Sequence, residues 1–295
     1  MQFVLAVNPH SGKGKSPDTF NKVKPIFDSA GLGLSVIETK YPGHTRELAA
    51  NMNLDSYSGF LVLGGDGTFH ELVNGIFDRS DGRKIPIGII PGGSGNSYAR
   101  DLGLINPIEA AKVIISGRTR LVDTARIKMN DINLHSMNLI GWGLVTDVGE
   151  CAERLRWLGP GRYSISSVIQ IFLKKARKAS LIIDGKELVS DFTFIVACNS
   201  IHIGNGMKMA PNAKLDDGLI DLIVVEANIT RRRLLSVLPK LFDGTHIAEP
   251  EVKYYQASSF SLLPETNDTL NIDGEMLGTT PISVEMLHNA IEVFG

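Results

Sequence analysis

Three stretches of the chain end an apolar run in glycine and polar side chains, and each could hold phosphate. The most informative is Leu61-Val62-Leu63-Gly64-Gly65-Asp66-Gly67-Thr68-Phe69-His70-Glu71. Glycine lets a ligand approach main-chain N–H groups, and a helix starting just beyond points its partly positive end at an anion. Asp66 sits among those amides, where a carboxylate suits proton acceptance or metal contact. A tight turn with Asp66 as a helix N-cap is the alternative.

The first stretch, Phe3 to Val7, runs into Asn8-Pro9-His10-Ser11-Gly12-Lys13-Gly14-Lys15-Ser16. A Walker A loop needs glycine where Pro9 stands, so what remains is a short basic turn, either a phosphate binder of another kind or a solvated loop. The third, Ile85 to Ile90, stops at Pro91-Gly92-Gly93-Ser94-Gly95-Asn96. Later, Asp216-Asp217-Gly218 and Asp221 could hold Mg²⁺ or Ca²⁺ or simply form an Asp-Gly turn. Leu270 to Glu275 brings Asp273 and Glu275 to a strand end, suited to face phosphates or their metal.

The elements that must position these groups alternate strand and helix up to about residue 124: helix 18–30, strand 34–38, helix 45–51, the central strand and its helix, then strand 85–90. Such alternation makes a parallel sheet whose carboxyl edge gathers the glycine loops. From residue 125 the texture changes to short alternating runs with tight turns such as Asp184-Gly185, the pattern of antiparallel strands. The expected division is therefore an α/β domain over 1–124 and a β-sandwich over 125–295. Helices are expected near 151–157, 164–178 and 230–242. The last carries Arg231-Arg232-Arg233 and an apolar stripe, which reads better as packing on a sheet than as membrane contact.

The composition, 43% hydrophobic and 21% charged over 295 residues, is that of a globular protein of two domains. A net charge of -2 gives no basic field, so nucleic acid is a poor partner and any membrane attraction must be local. The two cysteines, Cys151 and Cys198, have no metal-site spacing and suit a reducing cytoplasm. Met1-Gln2-Phe3 leads straight into a strand without the pattern of a secretory signal, and no apolar run is long enough for a membrane span.

Taken together, the ordered motifs resemble the lipid kinases whose catalytic module is shared by diacylglycerol, ceramide and sphingosine kinases. The likeness rests on Asn8 to Gly14, on Gly64 to Thr68 with Glu71, on Pro91 to Asn96 and on Asp273-Gly274-Glu275, and it covers nearly the whole chain. It implies a nucleotide-binding α/β domain followed by an antiparallel β-sandwich, with ATP and a membrane lipid meeting in the cleft between them. It further implies Asp66 as the base, with Asp273 and Glu275 in the catalytic set. Asn8, Ser11, Gly12, Lys13, Thr39, Gly64, Gly65, Gly67, Thr68, Glu71, Gly93, Ser94 and Asn96 would surround ATP and its Mg²⁺, with Arg156 and Arg162 reaching the phosphates. A structural Mg²⁺ would sit at Leu215, Asp217 and Leu219.

The same resemblance implies a cytoplasmic protein that touches membranes transiently, and leaves room for a homodimer. Gly149 stands where sphingosine kinases carry the acid that anchors the substrate's amine, and Ser97 where many diacylglycerol kinases have Asp. The expected substrate is accordingly a neutral lipid of diacylglycerol or ceramide type. The alternatives are a sphingosine kinase, an NAD kinase, whose GGDGT signature and two-domain plan are similar, and a lipid- or nucleotide-binding module without turnover.

Overall fold

The computed structural model describes residues 1–130, 132–155, 161–204 and 206–295. The chain forms two compact units, Met1–Thr124 with His288–Gly295, and Ala125–Leu287.

In the first unit the chain runs β1 (Gln2–Val7), α1 (Ser11–Gly14), α2 (Ser16–Ser29), β2 (Gly33–Glu38), α3 (His44–Asn51), β3 (Gly59–Gly64), α4 (Asp66–Phe77), β4 (Ile87–Pro91), α5 (Ser97–Asp101), α6 (Pro107–Ser116) and the start of β5 (Thr119–Met129). The strands are parallel in the order β4-β3-β1-β2. Strands buried on both faces need continuous apolar runs, and β1, β3 and β4 supply them. Phe3, Leu5, Leu61 and Leu63 pack with Val23 and Phe27 of α2 and with Ala111 and Ile114 of α6. Because β1 pairs with β2 on one side and β3 on the other, the strand order reverses at β1, and the loops leaving β1, β3 and β4 share one sheet edge.

The second unit continues with β6 (Ile132–Ser136), β7 (Leu139–Gly143), α7 (Leu144–Arg154), α8 (Arg162–Phe172), β8 (Arg177–Ile183), β9 (Lys186–Cys198), β10 (His202–Ile203), β11 (Met207–Lys208), β12 (Ile220–Glu226), α9 (Arg231–Val237), β13 (Val252–Ala257), β14 (Ser259–Pro264), β15 (Thr269–Ile272), β16 (Glu275–Thr279) and β17 (Ile282–Phe294). Its pairings are antiparallel, and strand alternation divides the interior in two. Ile195, Ala197, Leu222 and Val224 join Trp142, Phe192, Phe260 and Leu262 in the inner core. Their neighbours Val196, Cys198, Ile223 and Val225 face outward and are covered by Leu144, Ile171 and Leu234 of α7, α8 and α9.

Four expectations need correction. The last eight residues cluster with the first unit, because Val293 pairs with Ile87 and Phe294 enters that core. The helix expected at 151–157 begins at Leu144 instead. The helix expected over 164–178 ends at Phe172, since the alternating residues from Arg177 pair with β9. The helix expected over 230–242 stops at Val237 and tightens into a 3-10 turn at Leu238–Leu241, as Pro239 cannot donate a helical hydrogen bond.

Candidate active site

The three glycine loops of the first unit touch backbone to backbone. A Cβ on Gly12 would collide with the carbonyl oxygen of Gly92, and one on Gly93 would lie 2.5 Å from Cα of Gly65. Only glycine permits this approach. The amides of Gly92 and Gly93 donate to the Gly64 carbonyl at 2.7 and 3.2 Å, fastening the third loop to the second. Asn8 ties in the first loop, accepting from the His10 amide at 3.0 Å and donating Nδ2 to Oγ1 of Thr68 at 3.1 Å. Asn96, at φ 52°, closes its own loop by accepting from the Gly93 amide and donating to its carbonyl.

Asp66 stands at the start of α4, and its two carboxylate oxygens accept from the amides of Ser97 and Tyr98 at 3.0 and 3.1 Å. The acid is thereby aimed by the first turn of α5. Lys13, at φ 61°, and Lys15 are exposed on the first loop, with no ion-pair partner among the described residues. Ser11 and Gly67 are half-buried and Ser94 is exposed on the same loops, while the amide of Thr39, at the end of β2, donates to Val7.

Glu71 behaves differently from a nucleotide ligand. Its carboxylate accepts from the amides of Gly43 and Thr45 at 2.7 and 3.1 Å, capping the N-terminus of α3 from the face of α4. Asp273, in the second unit, is buried at 7% exposure. It accepts from Ser136 Oγ at 2.6 Å and from the amides of Met137, Asn138 and Leu139 at 3.2, 2.9 and 3.0 Å. Both carboxylates organise the chain itself. Glu275 is exposed at the start of β16.

Arg162 opens α8, 3.5 Å from Glu153 and over the ring of Tyr163. Arg156 lies outside the described residues. At the turn proposed for metal, Asp217 accepts from the Leu219 amide at 3.0 Å, a bond that an Asp-Gly turn makes without any ion. Beyond it Asp221 is fully buried, with Oδ1 held by Tyr254 and Gln256 and Oδ2 unpartnered. Burial raises its pKa and the charge of Asp217 adds to the shift. That orphaned oxygen suits a hard cation, although no group of three or more His, Cys, Asp or Glu among the described residues is arranged to hold one.

The second unit also contains an apolar cavity of about 780 Å³, counting its open mouth, walled by Leu144, Val148, Ile171, Phe194, Ile223 and Leu234. Its polar lining residues are Ser167 and His246. His246 donates its Nε2–H to the Met209 carbonyl, 3.0 Å away, and burial pushes its imidazole pKa down. None of these wall residues stood out in the sequence as functional. The i, i+4 pair Leu144 and Val148 would have signalled the wall had the helix been placed correctly.

Comparison with known proteins agrees with this arrangement. The diacylglycerol kinase catalytic domain model matches residues 2–127, and the YegS C-terminal NAD kinase beta sandwich-like domain model matches residues 138–295. Sphingosine kinase 1 of Arabidopsis thaliana is 31% identical, over 94% of this chain and 68% of its own length. A diacylglycerol kinase of Staphylococcus saprophyticus subsp. saprophyticus is 32% identical, over 98% of this chain and 94% of its own. Among solved structures, a candidate diacylglycerol kinase from Bacillus anthracis str. Sterne superposes with a TM-score of 0.82 at 26% identity, covering 99% of this chain and 96% of that one. With both halves matched in order, and relatives aligned along nearly the entire sequence, the chain belongs to the family of lipid kinases that includes the diacylglycerol and sphingosine kinases.

Proposed function

We propose that the protein transfers the γ-phosphate of ATP to a hydroxyl of a neutral lipid of diacylglycerol or ceramide type, assisted by Mg²⁺. The observation that carries the lipid half of this reading is the apolar cavity of the second unit, whose size and lining suit hydrocarbon chains. The nucleotide half rests on the three joined loops of the first unit, which offer amides, Lys13 and Lys15 to a polyphosphate.

Asp66 is the proton acceptor in this scheme. As the lipid oxygen bonds to the γ-phosphorus, the bond from that phosphorus to the ADP oxygen breaks, and the hydroxyl proton passes to the carboxylate. The amides of Ser97 and Tyr98 fix the acid's orientation. Mg²⁺, when bound, supplies charge neutralisation at the phosphates, and Glu275 is the exposed acid offered to it. Asp273 acts through the turn it holds.

The neutral head group follows from positions 147 and 149. Asp147 is held by Arg177 at 2.7 Å, and Gly149, two residues on along α7, has no side chain to offer. A buried ammonium would lack its carboxylate partner, a cost of several kcal/mol. The likeness to a sphingosine kinase favours a second reading, a sphingoid base whose ammonium displaces Arg177 from Asp147. Radiolabelled ATP offered with diacylglycerol, ceramide and sphingosine in competition decides between them. Label should enter the neutral lipids, and faster labelling of sphingosine would overturn the neutral-lipid reading.

A further inference from the structure

The turn that leaves β2 carries two aromatic rings. In Tyr41-Pro42-Gly43-His44 the glycine takes φ 90° and ψ -9°, and the His44 amide donates to the Tyr41 carbonyl at 3.2 Å. With proline second and a left-handed glycine third, this is a type II turn, which brings its first and fourth side chains together. The rings of Tyr41 and His44 accordingly lie 4.7 Å apart between centroids, inclined by 34°. Each is fixed by a further bond. Tyr41 donates its hydroxyl to Oε2 of Glu47 at 2.6 Å, and Nδ1 of His44 accepts from the Lys40 amide at 3.2 Å. His44 is half-buried behind the phenol ring, whereas Tyr41 keeps 50% of its surface exposed, leaving ring surface for a further stack.

The place of this turn gives the rings a use. The strands stand in the order β4-β3-β1-β2, so the loops leaving them follow one another along one edge: the third glycine loop, the second, the first, then the aromatic turn. The Thr39 amide donates to the Val7 carbonyl at 2.9 Å, and Tyr41 follows two residues later, no more than about 7 Å of chain from the start of the first loop. The turn is also fastened to the helix that begins at Asp66. The amides of Gly43 and Thr45 donate to Glu71, five residues and about 7.5 Å along α4 from that acid. A triphosphate lying over the three glycine loops along this edge therefore brings its nucleoside to Tyr41. A single exposed aromatic ring is ordinary, but a ring held at its hydroxyl, backed by a second ring and set at the end of a row of phosphate loops is placed for a base.

We infer that Tyr41, backed by His44, is the platform on which the purine of the donor nucleotide stacks, an inference that rests on reading the three loops as the seat of ATP's phosphates. The Tyr41 hydroxyl is committed to Glu47, so the ring face and not the phenol group makes the contact. Tyr41 is thus a binding residue for the donor and takes no part in the transfer.

The test is calorimetric titration of the full chain, in the presence of Mg²⁺, with ATP and separately with tripolyphosphate, which carries the phosphates without the base. Tyr41→Leu should weaken ATP binding by about tenfold or more and leave tripolyphosphate binding unchanged. Tyr41→Phe keeps the ring and removes only the bond to Glu47, so it should bind ATP within about twofold of the wild type. In turnover the Leu variant should show a raised KM for ATP at little altered kcat. Wild-type ATP affinity in Tyr41→Leu overturns the platform. So does an equal loss for ATP and tripolyphosphate, since the rings then serve only to hold the turn. If the wild type binds neither ligand, the nucleotide reading of the loops fails and the platform falls with it. If Tyr41→Leu loses ATP alone but the wild type phosphorylates no lipid, the lipid-kinase reading fails and the platform stands.

Discussion

Two carboxylates of the same kind can have opposite roles, and their hydrogen bonds separate them. In the proposed scheme Asp66 is the proton acceptor, and the amides of Ser97 and Tyr98 orient it. Asp273 has four donors and is closed around its own turn. An Asp66→Asn variant therefore loses more than a base, because its NH₂ group must meet the amide of Ser97 or Tyr98. Turnover should fall by about a hundredfold or more, the scale of a lost general base. ATP affinity should weaken about tenfold, the scale of an unsatisfied donor. Initial rates and calorimetric titration of ATP measure the two effects separately.

His246 gives a pH signature at the same scale. Burial holds its imidazole below the ordinary value, so between that depressed pKa and about 6.5 the unfolded chain binds a proton that the folded one refuses. Stability is full above that window and declines as pH falls through it. Thermal melts from pH 7 downward should show the decline in the wild type, and His246→Gln should flatten it.

At the scale of elements, α7 carries the question of substrate choice. Asp147 and Gly149 lie two residues apart on a helix, which turns their side chains about 200° from each other, so neither position substitutes for the other. A Cβ at Gly149 would collide with Cε of Met276, the mobile end of a side chain on β16. Gly149→Asp alone should therefore destabilise the second unit while doing little for amine recognition. Combining it with Met276→Ala makes room for the acid, and sphingosine use relative to diacylglycerol should then rise about tenfold, the scale of a new charge-assisted contact. Kinetics on the single and double variants, with melting temperatures alongside, check this.

For the whole molecule, the decisive feature is the path of the C-terminus. β17 begins in the second unit and ends in the first, where Phe294 meets Phe3 edge-on at 5.9 Å. Phe294 also closes on Gly59, where a Cβ would lie 2.8 Å from its ring. Its loss opens a cavity beneath β1 and β3, whose far ends carry the first two glycine loops. Phe294→Ala should cost about 3–5 kcal/mol, read as a lower urea midpoint, with weaker ATP binding following from the loosened unit.

What the sequence determined by itself was local. Glycine after a buried strand, strand alternation after residue 124 and the order of the motifs are properties of neighbouring residues, and they carried the fold class, the family and the three loops. Tertiary structure decided whatever depended on a partner distant in the chain. Glu71 caps α3 because Gly43 and Thr45, 28 and 26 residues away, present their amides to it. Asp273 closes on Ser136 across 137 residues. Arg233 is neutralised by Glu249 and Glu251, whereas Arg232 beside it stays in solvent. Residue type says that an acid or a cation is present, but the groups that reach it are set by packing, and packing is a property of the assembled chain.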